Sequence, residues 1–285
     1  MATLPFPCNA TPLSANGIQN ALTQLGIDAA TLWTMLHVET AGCGYFKSRR
    51  PQILFEAKIF SNLTKGVWDA TAPDISNPQP PQPGSYGATG DFQYTRLGKA
   101  YSLNPADPAD PGVSTPTRDA ALKSASWGLG QVLGENAAMV GFGSVQDMVS
   151  AMAGSEDAQL QVVVNFVLAK KLQTALQNQD WAAYAAVYNG SNYAENQYDV
   201  KLANAYALFQ DASKLPDLTV RAGQLLLLLL DFNPGGVDGS IGPNTLTALH
   251  NFQNQQGQPL TTGIDASVVA NLTAALPAAP NLSLS

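Results

Sequence analysis

Glu39 is the residue of this sequence whose position best suits acid catalysis. It follows Leu32 and Leu36 at helical spacing, so it shares the apolar face of a helix that packs inward. A carboxyl group on such a face loses contact with water, which raises its pKa toward that of a general acid working near neutral pH. Gly42 and Gly44 follow at once, and they allow a tight turn with room for a bulky ligand. The alternative is a glutamate at a helix end that points to solvent.

Two further segments carry groups that can bind a sugar. Residues 126–134 read Ser-Trp-Gly-Leu-Gly-Gln-Val-Leu-Gly, where Trp127 can stack on a pyranose ring and Gln131 can hydrogen-bond a hydroxyl or amide. Tyr188 and Asn189 stand at the end of a predicted helix, just before a glycine. Taken singly, each segment is better explained as a helix cap with core aromatic residues. Together with an acid on a separate helix, they are what carbohydrate cleavage requires.

Other hydrolytic chemistries lack the residues they need. A zinc hydrolase takes several His, Cys or Asp ligands, and the only histidines of the chain are His37 and His250. A cysteine nucleophile would have to pair Cys8 or Cys43 with one of them, and His37 and Cys43 fall on opposite sides of a helix end. We therefore expect neither a metal nor a cofactor. The two cysteines could form a single bridge, but two buried or idle thiols are favoured.

The composition is that of a globular chain with an acidic balance. The chain has 285 residues, of which 45% are hydrophobic and 12% charged, and its formal net charge is -7. We expect no nucleic-acid partner and no stable membrane association, since an anionic partner needs a basic face. An uncharged or peptide-bearing polymer fits better. The N-terminal sequence has neither a basic nor a continuous apolar segment, so we expect no signal peptide, accumulation in the cytoplasm, and a monomer.

Helical periodicity dominates the chain and predicts a mainly α fold. Asp28 can cap the helix that carries the acid, Asp180 can cap another, and apolar residues over 160–176 mark one long amphipathic helix. Residues 77–84 and 104–117 are rich in proline, so we expect surface loops there.

A change of pattern at 210–217 divides the chain into two units. We place a large domain at 1–211 and a small one at 218–277, because a helical pattern stops there and a proline-bearing segment begins. Each unit is expected to hold its own apolar core, and three short helices would fill the small one. The tail 277–285 has little to pack with and is expected to fray.

The first two hundred residues resemble a known enzyme family. Residues 37–46 read His-Val-Glu-Thr-Ala-Gly-Cys-Gly-Tyr-Phe, and residues 51–60 read Pro-Gln-Ile-Leu-Phe-Glu-Ala-Lys-Ile-Phe. With Ser-Trp-Gly-Leu-Gly-Gln at 126–131 and Tyr-Asn-Gly-Ser-Asn-Tyr at 188–193, they resemble goose-type lysozymes and lytic transglycosylases, and more closely the N-acetylmuramidase family of phage endolysins. Departures from the family pattern are Cys43 in the glycine turn, Leu129-Gly130 before the amide and the proline-rich insertions.

The resemblance implies a lysozyme-like catalytic domain that cuts the glycan strand of bacterial peptidoglycan. Glu39 would protonate the glycosidic oxygen between N-acetylmuramic acid and N-acetylglucosamine. The substrate would be bound by Trp127, Gln131, Tyr188 and Asn189. An enzyme of this kind without an export signal would act at the end of a phage infection, after a separate protein permeabilises the membrane of the host. Two alternatives are a wall-binding protein without catalytic activity and a structural virion protein with a lysozyme fold.

A second carboxylate is usually needed for hydrolysis, and Glu56 is the first choice. It follows an apolar Ile-Leu-Phe run, which would hold it near the cleft. Its structural alternative is to cap a helix or to pair with Arg49 or Arg50. A lytic transglycosylase manages with one glutamate, used first as acid and then as base, and forms an anhydro sugar. The sequence leaves both outcomes open.

The second unit resembles the small peptidoglycan-binding domain of many wall hydrolases. The resemblance rests on Gln224, the run 238–245, Phe252-Gln253 and Gly263. It implies a three-helix domain in which Asp238, Gly239, Thr245 and Gln253 bind the wall. The alternative is that Asp238-Gly239 is a simple turn, that Gly242-Pro243 starts a helix, and that none of these residues binds anything.

Overall fold

The computed structural model describes residues 2–40, 43–82, 84–103, 117–190 and 192–284. Gly42, part of the expected glycine turn, and residues 104–116 of the second proline-rich segment lie outside this part of the chain. Residues 77–82 of the first proline-rich segment form neither helix nor strand, as predicted.

Helices dominate the described residues, so the prediction of a mainly α fold is confirmed. Before residue 211 the helices are α1 (Ala15–Leu25), α2 (Ala29–Thr40), α3 (Ala57–Leu63), α4 (Phe92–Ser102), α5 (Thr117–Lys123), α6 (Val145–Gly154), α7 (Glu156–Ala169), α8 (Gln173–Gln177), α9 (Trp181–Tyr188) and α10 (Tyr198–Phe209). After it they are α11 (Leu218–Leu229), α12 (Pro243–Gln255) and α13 (Ala266–Ala275).

Two aspartates start helices as the sequence predicts. Asp28 accepts a hydrogen bond from the Thr31 N–H at 2.8 Å before α2, and Asp180 accepts one from the Ala183 N–H at 3.0 Å in α9. Each carboxylate satisfies a backbone donor that the first helical turn leaves without a partner. The helix with the candidate acid is therefore fixed at its N-terminus by local chemistry.

The prediction of one long helix over 160–176 is wrong. The chain leaves helical geometry after α7, where Lys171 adopts a left-handed backbone with φ of 57°. The Leu172 N–H bonds back to the Val167 carbonyl at 2.9 Å and closes the end of the helix. A separate short helix, α8, then carries Leu176 into the core.

A small antiparallel sheet lies between the helices of the first unit. Its order is β2 (Ile53–Phe55), β3 (Ala125–Trp127) and β4 (Val132–Leu133), with Ile53 opposite Trp127. This register brings the Ile-Leu-Phe run before Glu56 next to the segment that contains Gln131.

The C-terminal tail is ordered in a sheet, so the expectation that it frays is wrong. Strand β5 (Asn281–Ser283) pairs antiparallel with β1 (Thr3–Pro7), and the side chains of Leu282 and Leu284 are buried. Arg49 donates to the Pro277 carbonyl at 2.8 Å, and Arg50 donates to the Ser283 carbonyl at 3.1 Å. The tail is held by backbone pairing with β1 and by hydrogen bonds from two arginines, and neither contact can be predicted from the sequence of the tail itself.

The second unit has an apolar core of its own and a further one that it shares with the first. The second unit's own core is built by the three helices α11 to α13 around Leu226, Leu249 and Phe252. The shared cluster joins Leu225 and Leu229 to Cys43 and Tyr45 of the first unit. The two units therefore meet through buried apolar side chains, and the division at 1–211 and 218–277 stays a prediction.

Candidate functional site

Glu39 lies near the C-terminal end of α2 with its side chain partly buried. Burial raises the pKa of this carboxyl group from 4.5 to about 7, and a hydrogen bond from Asn189 opposes the rise. The Asn189 Nδ2 atom donates to Glu39 Oε1 at 3.0 Å. A carboxyl group with this pKa carries its proton on about half of the molecules at neutral pH, which is what a general acid requires.

Asn189 brings the end of α9 against the acid. It is the C-cap residue of that helix, and its Oδ1 atom is buried without a hydrogen-bond partner in the described chain. An acceptor without a protein partner beside the Glu39 carboxyl group is a place where an amide or hydroxyl of a substrate can donate. The expectation that Asn189 belongs to the site is consistent with this geometry.

The Glu39 carboxylate acts on the phenols of Tyr184, Tyr188 and Tyr198. The Tyr184 and Tyr188 rings stack with centroids 5.0 Å apart. Burial raises the phenol pKa of both, as it does for Tyr198, and the charge of Glu39 adds to each rise. These phenols therefore stay protonated near neutral pH.

The hydroxyl of Tyr188 has a structural task. It donates to the Gly130 carbonyl at 2.8 Å, so it ties α9 to the segment between β3 and β4. Its donor is used within the protein, while its oxygen can still accept a hydrogen bond, so the binding of substrate by Tyr188 stays a prediction. Tyr188 positions the segment of residues 128–131 relative to the acid.

Trp127 is fully buried and does not reach a ligand. Its indole Nε1 atom donates to the Leu122 carbonyl at 3.0 Å, and its ring packs edge-on against Tyr94. The prediction that this ring stacks on a sugar is wrong, because both of its faces belong to the core. A tryptophan inside a strand of a small covered sheet has no free side.

Gln131 is held by its own loop. Its amide nitrogen donates to the Gly128 carbonyl at 2.9 Å, and its amide oxygen accepts from the Ser126 hydroxyl at 2.9 Å. The backbone of Gln131 is left-handed, with φ of 49°. The amide therefore stabilises a tight turn, and only its partly exposed edge can meet a substrate.

Glu56 sits at the N-cap of α3 but does not cap it through its side chain. The Tyr86 hydroxyl lies 3.1 Å from both carboxylate oxygens of Glu56. Burial raises the pKa of this carboxyl group, while Tyr86 and the charge of Arg96 oppose the rise. Glu56 and Arg96 line a cavity of about 170 Å³. The structural alternative in which Glu56 caps the helix is therefore wrong.

Helix α7 holds both glycine-bearing motifs, and the sequence reasoning missed it. Glu156 Oε1 accepts from the Gly44 N–H at 2.9 Å, and Gln159 Oε1 accepts from the Leu129 N–H at 2.8 Å. A Cβ atom at Gly44 or Gly128 would overlap the Gln159 side chain. The glycines allow this close approach, and the signal was two buried polar residues three apart in an apolar helix.

The predicted wall-binding residues mostly support their own domain. Gly239, Thr245 and Gln253 are buried, and the buried amide of Gln224 bonds to Gly239, Asp238 and Thr245. The prediction that Gly239, Thr245 and Gln253 contact the wall directly is corrected, because their side chains or backbone face inward. The carboxylate of Asp238 remains exposed.

Among the described residues, neither the two thiols nor any group of metal-ligating side chains supports a cysteine-dependent or metal-dependent hydrolysis. Cys8 and Cys43 are buried free thiols, and burial raises the pKa of Cys8 to about 11 and that of Cys43 to about 12. Thiols with such pKa values are poor nucleophiles. Among the described residues no three His, Cys, Asp or Glu side chains lie close enough to hold a metal. None of the described helices has the length and apolarity needed to cross a membrane.

Comparisons with known proteins identify the family of the chain. The crystal structure of the Burkholderia AP3 phage endolysin is 32% identical, with a TM-score of 0.59, and the match covers 71% of this chain and 72% of that one. No curated protein matches the chain. The family model for N-acetylmuramidase matches residues 28–210, which is more than half of the chain and includes Glu39, Glu56 and Asn189. The chain is therefore a glycosidase and belongs to the N-acetylmuramidase family.

Proposed function

We propose that the protein is a phage endolysin that hydrolyses the bond between N-acetylmuramic acid and N-acetylglucosamine in peptidoglycan, with Glu39 as the general acid. The observation that carries this proposal is the partly buried Glu39 carboxyl group, whose pKa is raised to about 7 while Asn189 fixes its Oε1 atom. The similarity to a phage endolysin supports the biological role.

The reaction begins with proton transfer from Glu39 to the glycosidic oxygen. The bond from that oxygen to C1 of N-acetylmuramic acid then breaks, and positive charge develops on the ring. Water supplies a hydroxyl group to C1, and its second proton goes to a carboxylate. Glu56 is the proposed second carboxylate, because it lines a cavity and because the Tyr86 hydroxyl and the charge of Arg96 stabilise its charged form against the effect of burial.

A transglycosylase outcome is the second candidate. Burial raises the pKa of Glu39 and the hydrogen bond from Asn189 lowers it, and no second carboxylate contributes to the shift. An acid that stands alone could act first as acid and then as base, with a hydroxyl group of the substrate attacking C1. Mass spectrometry of the released muropeptides separates a hydrated reducing end from an anhydro ring.

The test of the proposed acid is Glu39→Gln, measured as the loss of turbidity of purified walls. The amide preserves the size of the side chain and cannot donate the proton, so we expect activity to fall by about a hundred- to ten-thousand-fold. Glu135→Gln is the matched control, because Glu135 is exposed. Near wild-type lysis by Glu39→Gln with an unchanged circular dichroism spectrum would remove Glu39 from the catalytic role.

We further propose that residues 218–277 form a peptidoglycan-binding domain and that 1–211 form the catalytic domain. Helices α11 to α13 have their own apolar core, which supports the small unit as a folding module. The exposed Asp238 is the proposed wall contact, with Gly239, Thr245 and Gln253 shaping the loops around it. Sedimentation of Glu39→Gln with walls, with and without Asp238→Asn, tests this contact.

The proposed setting is the host cytoplasm, from which a separate permeabilising protein releases a monomer to the wall. The acidic balance of the chain, with a net charge of -7, opposes adsorption to an anionic membrane. Expressed alone in bacteria, the protein should be tolerated until chloroform opens the membrane, and the culture should then clear. Lysis before chloroform would contradict this setting.

A further inference from the structure

The cavity that Glu56 lines is polar and carries charges of both signs. Its volume is about 170 Å³, and residues 79–82 of the proline-rich segment form part of its wall. The other charged side chains that line it are those of Lys58, Asp74 and Arg96. A carboxylate in such a place can change its protonation state with small changes in its surroundings, so the groups that contact Glu56 directly decide its chemistry.

Arg96 acts on Glu56 by its charge, whereas its hydrogen bonds go to the backbone. Its Nη1 atom donates to the Phe55 and Tyr86 carbonyls, each at 3.2 Å, and its Nη2 atom donates to the Asp74 carbonyl at 2.9 Å. The Arg96 side chain is buried, and its guanidinium group therefore fixes three segments of the chain around the cavity.

The direct contact of the Glu56 carboxylate is the Tyr86 hydroxyl, 3.1 Å from each of the two oxygens. Burial and the charge of Glu56 raise the pKa of this phenol well above its usual range, so it keeps its proton and acts as a donor. A donor placed symmetrically on both oxygens holds the plane of the carboxylate. It also favours the charged form, because only that form accepts through both oxygens.

Gln93 fixes the distance between the two partners. Its Oε1 atom accepts from the Phe55 N–H at 3.0 Å, immediately before Glu56, and its Nε2 atom donates to the Tyr86 carbonyl at 2.8 Å and to the Ala88 carbonyl at 2.9 Å. The side chain is buried in α4 and does not line the cavity. One amide therefore connects the end of β2 to the loop that carries Tyr86.

We propose that Gln93 and Tyr86 are positioning residues of the reaction: Gln93 fixes the Tyr86 loop against β2, and the Tyr86 hydroxyl then holds Glu56 in the charged and oriented form that accepts the proton of the attacking water. Tyr86 keeps its own proton throughout, and no bond of either residue breaks. The inference rests on the proposed function, in which Glu56 is the second carboxylate.

The first experiment measures the ionisation of Glu56 without catalysis. The chain has five glutamates, so ¹³C labelling of their carboxyl carbons gives few signals, and the signal of Glu56 is the one lost in Glu56→Gln. In Tyr86→Phe we expect its titration midpoint to move to higher pH by about one pH unit, since a hydrogen bond favours a charged group by about tenfold or more. Tyr101→Phe is the control, because Tyr101 is also half-buried but does not line the cavity. An unchanged midpoint in Tyr86→Phe would overturn the proposal.

A double-mutant cycle tests the part played by Gln93. Gln93→Met keeps the length of the side chain and removes its hydrogen bonds, so we expect the Glu56 midpoint to rise as it does in Tyr86→Phe. Because Gln93 acts through Tyr86, the double variant should titrate close to Tyr86→Phe alone. Additive shifts, or no shift in Gln93→Met, would contradict the role of Gln93.

The second experiment connects this contact to the reaction through the pH profile of kcat/KM on purified walls. We expect the acidic limb to move to higher pH in Tyr86→Phe by about one pH unit, and the alkaline limb, which depends on Glu39, to stay in place. A profile that falls at every pH without a shift of its acidic limb would show a merely structural role and would overturn the proposal. Near wild-type lysis by Glu56→Gln would instead contradict the choice of Glu56 in the proposed function, while the carbon titration would still decide whether Tyr86 holds the carboxylate.

Discussion

Arg221 and Glu156 form a bidentate ion pair that is buried where the two units meet. Arg221 Nη1 lies 2.6 Å from Glu156 Oε2, and Nη2 lies 2.8 Å from Oε1. The exposed fractions of the two side chains are 1% and 0%. The same carboxylate accepts from the N–H groups of Leu13 and Gly44 at 2.9 Å. One carboxylate therefore connects helix α11 to the backbone that follows Glu39, the proposed acid.

Removing the arginine from this pair should destabilise the whole protein. Arg221→Met leaves the Glu156 charge buried with only backbone donors, and we expect the free energy of unfolding to fall by about 3–5 kcal/mol. Urea denaturation followed by circular dichroism measures the change.

The control for this prediction is a second ion pair between the same two units. Lys47 and Asp231 lie 3.1 Å apart with exposed fractions of 63% and 81%, so Lys47→Ala should cost at most about 1 kcal/mol. Similar losses for Arg221→Met and Lys47→Ala would mean that burial of the first pair does not matter.

Truncation after Asp211 should reverse the effect of Glu156→Gln on the stability of the protein. In the full chain Glu156→Gln weakens the pair with Arg221, so we expect it to destabilise. In the chain of residues 1–211 the arginine is missing, and Glu156→Gln removes a buried charge that has no counter-ion, so we expect it to stabilise. The measurement is the urea midpoint of the four chains, or their soluble yield if the truncated chain with Glu156 does not fold.

The domain division predicts that residues 1–211 retain weak lytic activity. This activity requires the truncated chain to fold without its buried contacts with α11 and without β5, the partner strand of β1. Turbidity of purified walls incubated with residues 1–211 measures this activity, and an insoluble chain would mean that the two units share one core. For the stability prediction, a lower urea midpoint of Glu156→Gln in the truncated chain would contradict the argument from the missing arginine.

The sequence was informative for several features whose determining contacts are local, although it did not reveal the break between α7 and α8. Helix α2, the Asp28 cap and the raised pKa of Glu39 follow from helical spacing and burial. The pairing of Arg221 with Glu156 does not, because 65 positions separate them and neither lies in a recognisable motif. The prediction that the Trp127 ring binds a sugar failed for a related reason. The exposure of a side chain depends on which face of its strand is covered, and periodicity over three residues does not reveal that face.

Gly44 should resist substitution more strongly than a glycine with free space around it. A Cβ atom there would overlap the Gln159 side chain, which is itself held by the Met152 carbonyl and the Leu129 N–H. We expect Gly44→Ala to destabilise by about 1–3 kcal/mol. Because the carbonyl and N–H of this glycine also contact α7, we expect lysis of walls to fall as well.

Gly154 provides the control for this substitution. It lies at the end of α6 with no atom within 4 Å of an added Cβ, so Gly154→Ala should leave the urea midpoint unchanged or raise it slightly. Equal midpoints for both variants would mean that Gln159 moves aside without cost.

The activity should fall as the pH rises through about 7, because Glu39 must carry a proton to act as an acid. The hydrogen bond from Asn189 lowers this pKa, so Asn189→Ala should raise it and move the alkaline limb of kcat/KM to higher pH. The exposed Asn178, at the end of α8, supplies the control Asn178→Ala. An alkaline limb that stays in place in Asn189→Ala would show that another group controls it.

The free energy of unfolding should also depend on pH through the ionisation of Glu39. Because the pKa of Glu39 is about 7 in the folded protein and 4.5 as the ordinary value, folding favours the protonated form. Its contribution to stability is fully present below pH 4.5 and is lost as the pH rises through about 7. The loss above that pH corresponds to about 3 kcal/mol. Glu39→Gln does not ionise, so we expect it to unfold at higher urea than the wild type at pH 8 and at the same urea at pH 4. A difference between the two proteins that does not change with pH would mean that Glu39 is not desolvated, and the physical basis of its assignment as the acid would be lost.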